Sequence, residues 1–197
     1  MILESKIDGS LLPIGLQEIE KITNQMKKCV CKISKGNKTG SGFFCKLAFQ
    51  DTNSTINLLV ANNHILGSED IKIGETTTLS LEEEKDSIDI IIDSSRIVYT
   101  SENYDITFVQ IFDKDGINNF FEIDEKIYSN EDSLNLIYKE LYILNYQDKN
   151  KIYISCGNLL QLKNDCIYHF CNTYQGSSGS PILSLSSFFI SCNVSES

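Results

Sequence analysis

The chain has no tryptophan, only two prolines and only two histidines. It also lacks any cluster of basic residues: 17 Lys and Arg stand against 27 Asp and Glu, for a formal net charge of −10. Nucleic-acid binding draws on a basic face that displaces counterions, so no nucleic-acid partner is expected. No segment approaches the roughly 18 apolar residues of a membrane span. The first residues, MILESKIDGSLL, carry Glu4, Lys6 and Asp8 where an export signal needs an apolar run, so a cytoplasmic protein away from membranes is expected. Any imidazole chemistry must fall on His64 or His169.

Cysteine is not scarce, but its number is odd: residues 29, 31, 45, 156, 166, 171 and 192. Without an export context that favours free thiols over a disulfide framework. Cys29-x-Cys31 with Cys166-x4-Cys171 fits no common zinc spacing. A strand would put Cys29, Cys31 and Ile33 on one buried face, so no metal is expected.

At 197 residues and 41% apolar composition, the chain can bury the core of one domain or of two small lobes. Leu12, Leu16, Ile19, Ile22 and Met26 recur at helical spacing behind Pro13 and predict a helix over 12–27. A second helical turn is expected within 131–140. Most of the remainder reads as short strands: 29–34, 42–49, 56–61, 87–93, 105–112, 141–146, 151–155 and 166–170. Turn residues at Gly36-Asn37, Gly67-Ser68, Asp115-Gly116 and Lys163-Asn164-Asp165 separate them. The clearest alternation is SIDIIID, which puts Ile88, Ile90 and Ile92 on one face. Many short strands with polar turns predict an all-β sandwich or barrel. The more polar stretch 113–140 is the natural connection between two lobes.

GSSGSPIL, residues 176–183, raises the question of chemistry. Such a stretch is either a flexible loop or a rigid turn holding one hydroxyl, and the second needs a base and an acid elsewhere. His64 follows the apolar strand LLVA, and Asp105 opens the strand DITFVQIF. The order His64, Asp105, Ser178 is the chymotrypsin order, distinct from those of α/β-hydrolases and subtilisins.

Five stretches then carry a resemblance to the trypsin-like serine peptidases, and within them to the intracellular, HtrA-type branch. GNKTGSGFFCK (36–46) resembles the family's Gly-rich turn into its second strand, and LLVANNHIL (58–66) the strand leading to the histidine. YDITFVQI (104–111) resembles the Asp strand, SCGNLLQL (155–162) the Ser-x-Gly strand, and GSSGSPIL the nucleophile loop. The resemblance spans about residues 28–183, in family order.

It implies a two-lobed, chymotrypsin-like double β-barrel with a short N-terminal helix. The expected divisions are a helical lead-in over 1–27, a first lobe over 28–125 carrying His64 and Asp105, and a linker and second lobe over 126–197 carrying Ser178. It implies a serine endopeptidase acting on protein or peptide through an acyl-enzyme, without metal or organic cofactor. Ser178 would be the nucleophile, ahead of its neighbours Ser177 and Ser180; His64 would be the general base and Asp105 the group that orients it. Gly176 and Ser178 would supply the oxyanion-hole N–H groups, and Asn172 and Thr173 would line the substrate pocket. His169 shares a face with Ile167 and Cys171 and is expected to serve packing.

The sequence also departs from the family pattern. Ile65 stands where secreted relatives carry a bridging cysteine, Ser177 replaces the Asp that pairs with a clipped N-terminus, and Ser180 replaces a glycine. Only 19 residues follow Ser178, with FFISC as one further candidate strand. The second barrel is therefore expected to be incomplete, further domains in the gene product are conceivable, and residues 1–197 alone are expected to be weakly active and to associate. The alternative is an inactive, protease-like module that binds proteins.

Overall fold

The computed structural model describes residues 13–48, 54–81, 86–122, 140–147, 151–163 and 166–184. Of the helical turn expected within 131–140 only Glu140 is described, and it opens a strand; the rest of it, the FFISC segment and Cys192 lie outside the described residues. Among the described residues one α-helix, α1 (Leu16–Cys29), leads into twelve strands: β1 (Val30–Lys35), β2 (Lys38–Ala48), β3 (Thr55–Ala61), β4 (Thr76–Leu81), β5 (Asp86–Ile91), β6 (Val98–Ser101), β7 (Ile106–Gln110), β8 (Phe121–Glu122), β9 (Glu140–Gln147), β10 (Lys151–Lys163), β11 (Cys166–His169) and β12 (Ile182–Ser184), with a single 3-10 turn at Asp113–Asp115 between β7 and β8.

Helix α1 begins later than its periodicity suggests and runs two residues further. Glu18 in its first turn and Lys27 and Lys28 in its last complement the helix dipole. Ile22, Met26 and Cys29 are buried, whereas Leu16 and Ile19 face outward; only the second half of the apolar stripe meets the sheet. Tyr142 Oη donates to Gln25 Oε1 at 2.8 Å and ties the helix to β9.

The strands form two sheets. The larger runs β5-β4-β1-β2-β3-β7-β6, with β8 added parallel to β2, and the smaller runs β11-β10-β9-β12. All other pairings are antiparallel, the first made by a tight hairpin at Gly36-Asn37 that sets Lys35 opposite Lys38. Three strands lacked an obvious sequence signal, among them the two-residue β8, which falls in the stretch 113–140 expected as a connection. β4 is the threonine-rich TTTLSL and β6 is the four-residue VYTS, both too polar or too short to stand out.

The two-residue period of a strand splits the core. Cys31 and Ile33 of β1, Phe44 of β2, Leu59 of β3, Leu79 of β4, Ile90 and Ile92 around the end of β5, and Val109 of β7 meet in one cluster. Members from strands near both ends of the path share this cluster because the sheet curls into a half-barrel. The opposite faces of β1, β2 and β3 present Val30, Phe43, Cys45, Leu58 and Val60 to α1 and to Tyr142, Leu144 and Tyr146 of β9. The intervening β9 residues, Leu141 and Ile143, join Leu159, Cys171 and Ile182 in a smaller cluster of their own. Strand β9 is thus buried on both faces, which explains its nearly unbroken apolar run.

Cys29 does not share the face of Cys31 and Ile33. It ends the helix and packs in the cluster against β9, because the chain changes from helical to extended backbone at Val30. The five cysteines at 29, 31, 45, 156 and 171 are unbridged thiols. Burial pushes the Cys45 and Cys171 thiols up to about 12 and Cys29 to about 11, so they are packing groups, poor as nucleophiles. Among the described residues no cluster of three or more potential ligands could hold a metal, and no helix is long and apolar enough to cross a membrane.

Candidate functional site

The register of β3 and β7 brings two of the expected residues together. Ala61 lies opposite Thr107 in an antiparallel pair, so the turn leaving β3 and the turn entering β7 share one end of the sheet. His64 lies on the first turn and Asp105 on the second. Asp105 does not open the strand, as the sequence suggested; it is the last residue of the turn before β7, with φ of +47°. That left-handed backbone is uncommon outside glycine, and it is over-determined here. The Asp105 N–H donates to Glu102 O at 3.2 Å. Its carbonyl accepts from Asn62 Nδ2 at 2.8 Å. Its carboxylate takes the His64 backbone N–H at 2.9 Å on Oδ1 and sits 2.7 Å from His64 Nδ1 through Oδ2.

An ionised carboxylate can only accept, so this geometry makes Nδ1 the donor, and in the neutral form of an imidazole that tautomer leaves an acceptor lone pair at Nε2. The Asp105 side chain is 21% exposed and that of His64 47%, so the carboxylate is covered while the imidazole stays accessible.

A relay of side chains fastens the histidine turn to the sheet. Thr107 Oγ1 donates to Leu66 O at 2.7 Å, which commits its single proton. Thr100 Oγ1, 2.7 Å away, therefore donates to Thr107 and accepts from Asn63 Nδ2 at 2.6 Å. Asn62 O takes the N–H groups of both Ile65 and Leu66.

Gly176 to Ser180 form a tight turn packed against this end of the first sheet. Gly176 and Gly179 hold φ of +97° and +81°. A Cβ on Gly179 would stand 2.0 Å from Ser41 O and 3.4 Å from Asn62 N, so the loop backbone abuts both β2 and the start of the histidine turn. Gly40 is wedged in the same way: a Cβ there would lie 2.8 Å from Ile65 Cγ1 and 3.1 Å from Ser178 O. The loop is internally bonded as well, with Ser177 N–H to Tyr174 O at 3.0 Å, Tyr174 N–H to Ser177 Oγ at 3.0 Å, and Ser180 N–H to Ser177 O at 3.1 Å. Ser177 and Ser180 are fully buried and Ser178 is 7% exposed.

Asn172 is exposed and Thr173 half-buried, just before this loop. His169 packs on β11, where its Nδ1 accepts the Cys171 N–H at 3.2 Å. Three structural elements of the site had little sequence signature. Ser41 between two glycines, Asn62-Asn63 directly after a buried apolar strand, and the Thr100–Thr107 pair are all polar groups inside apolar surroundings. That oddity was the available signal.

The sequence matches no known family model and no curated protein. The fold, by contrast, matches many solved structures. Deg5 superposes with a TM-score of 0.62 at 16% identity, covering 92% of this chain and 87% of that one. The Rv3671c protease of M. tuberculosis, in an inactive form, gives 0.58 at 13%, covering 90% and 82%. The serine endoprotease from Yersinia pestis gives 0.60 at 11%, covering 93% of this chain and 58% of that one. At such identities the likeness is one of fold. The fold is that of the trypsin-like serine proteases.

Proposed function

We propose that the chain is a serine endopeptidase of the HtrA-type branch, cleaving peptide bonds through an acyl-enzyme on Ser178. The observation that carries this reading is the two-point hold of Asp105 on His64, through both the ring Nδ1 and the backbone N–H. A purely structural histidine would not need its ring held in one tautomer with the other nitrogen left accessible.

In this mechanism His64 Nε2 takes the Ser178 hydroxyl proton as Oγ attacks the substrate carbonyl. Asp105 stabilises the imidazolium that forms and does not itself take the proton. The N–H groups of Gly176 and Ser178 receive the developing oxyanion, a contribution typically worth ~10²–10³ in rate per donor. The imidazolium then protonates the leaving amine, and water, activated by the same ring, releases the acyl group. Asn172 and Thr173, polar and uncharged, would line the pocket and give no preference for Lys or Arg. A reducing compartment such as the cytoplasm is supported by the five unbridged thiols.

A fluorophosphonate probe tests the reading. The wild-type chain is expected to be labelled, with the adduct on the peptide containing Ser178, and to cleave denatured casein. Ser178→Ala and His64→Ala should abolish both. An adduct on Ser177 or Ser180, or no labelling of a folded wild-type protein, refutes the assignment.

A further inference from the structure

Ser41 lies within β2, is wholly buried, and reaches three separate parts of the molecule. Its backbone N–H donates to Ser178 O at 2.8 Å. Its hydroxyl donates to Gly176 O at 2.9 Å and accepts the Tyr146 N–H of β9 at 2.9 Å. One short side chain therefore joins the larger sheet, the smaller sheet and the loop that carries Ser178.

These bonds decide how the loop's peptide planes face. The peptide between Gly176 and Ser177 is held at both ends, its carbonyl by the Ser41 hydroxyl and its N–H by Tyr174 O. The next peptide has its carbonyl, Ser177 O, on the Ser180 N–H; because a trans amide points its two polar groups oppositely, the Ser178 N–H faces the other side. The third, through Ser178 O, is fixed by the Ser41 N–H. Gly176 sits at the head of this series with φ of +97° and is the residue least restrained by its own sterics. Its N–H belongs to the preceding peptide, which meets the clamped one at this glycine, so the hold on the Gly176 carbonyl fixes one side of that joint.

We propose that Ser41 is a positioning residue that sets the orientation of the Gly176 and Ser178 N–H groups by pinning the loop to both sheets through its hydroxyl. This rests on the hydrolase reading of the same loop. Without the hydroxyl, Gly176 O loses its donor and the buried Tyr146 N–H loses its acceptor, so the loop relaxes toward other orientations to satisfy them.

The test compares wild type, Ser41→Ala and Ser41→Cys. The cysteine keeps the shape but donates and accepts weakly. With p-nitrophenyl acetate as the probe, Ser41→Ala is expected to lower kcat by ~10–100-fold, at or below the ~10²–10³ of outright oxyanion-donor loss because the donors are misaimed and not removed, and to change KM by no more than about threefold either way. Ser41→Cys should fall between alanine and wild type, and fluorophosphonate labelling should slow in the same order. Amide hydrogen exchange at Ser177 and Ser180 should quicken at least ~10-fold in Ser41→Ala, because their acceptors lie within the released loop. A kcat within twofold of wild type, or a change confined to KM, overturns the positioning role. Should Ser41→Ala fail to fold, Ser41→Cys carries the same comparison. Should folded wild type neither hydrolyse the ester nor take the label, the hydrolase reading fails on its own. Exchange then decides the clamp: unchanged protection in the variants overturns it, and faster exchange upholds it.

Discussion

The two ends of the candidate site are held by different means. His64 and Asp105 are both mounted on the larger sheet, and the groups that fix them, Asn62, Asn63, Thr100 and Thr107, belong to that sheet or its turns. The Ser178 loop connects β11 and β12 of the smaller sheet, whose own cluster among the described residues is Leu141, Ile143, Leu159, Cys171 and Ile182. Its polar anchors come from elsewhere, from Ser41 of β2. The acid–base half is self-supporting, and the nucleophile half leans on its neighbour. Alignment of the two is therefore a property of the interface, where Phe43, Val60, Tyr142, Leu144 and Leu183 pack together.

The larger sheet owes part of its self-sufficiency to a buried ion pair. Arg96 and Asp115 have side chains 1% and 7% exposed and meet bidentately at 2.8 and 3.0 Å. Arg96 also donates to Ile91 O at 3.2 Å and to Gln110 O, and it lies over the Phe112 ring at 4.7 Å. The guanidinium thus bridges the end of β5 to the end of β7, across the opening of the curled sheet. Burial by itself would raise the Asp115 carboxyl, but hydrogen bonds from Arg96 and the Phe112 N–H outweigh it and hold the group below the usual carboxylate range.

The largest expected effect breaks the acid–base half chemically while leaving its fold alone. Asp105→Asn should lower kcat on the ester by ~10⁴-fold, because the amide favours the wrong imidazole tautomer. Its melting temperature should stay within a few degrees of wild type; a kcat within tenfold would show that Asp105 does not orient His64.

Next comes the clamp that closes the larger sheet. Asp115→Ala leaves a buried guanidinium without its partner and should cost about 3–5 kcal/mol in urea unfolding. The double variant Arg96→Met with Asp115→Leu should recover most of that loss. Equal instability of single and double variants would mean that packing around Phe112, and not the charge, is what matters.

The smallest effect appears in acid. The carboxyl of Asp115 is held low in the folded chain, so its contribution is fully present above the unfolded pKa and fades as pH falls through the folded one. The stability gap between wild type and Asp115→Asn should therefore be constant from neutral pH down to about pH 4 and narrow below it. A gap that widens in acid would contradict the depressed carboxyl.

The sequence by itself determined the strands with strong apolar or alternating patterns, such as Ile88, Ile90 and Ile92, because a two-residue period reports burial on one face of a sheet. It also ordered His64, Asp105 and Ser178 along the chain and marked the glycines that the loop's positive φ angles require. It could not reveal β4 and β6, whose polar or brief segments are stabilised by neighbours supplied from distant chain. Nor could it say that Asp105 would take a left-handed turn, that Cys29 would end a helix, or that Leu16 and Ile19 would remain exposed. Those outcomes depend on which elements meet in space. The roles of Ser41, Asn62 and Arg96 were decided only by tertiary structure, since their side chains reach partners 135, 43 and 19 residues away. Local pattern encodes which face of an element is buried; the partner of a buried polar group is set when the sheets pack.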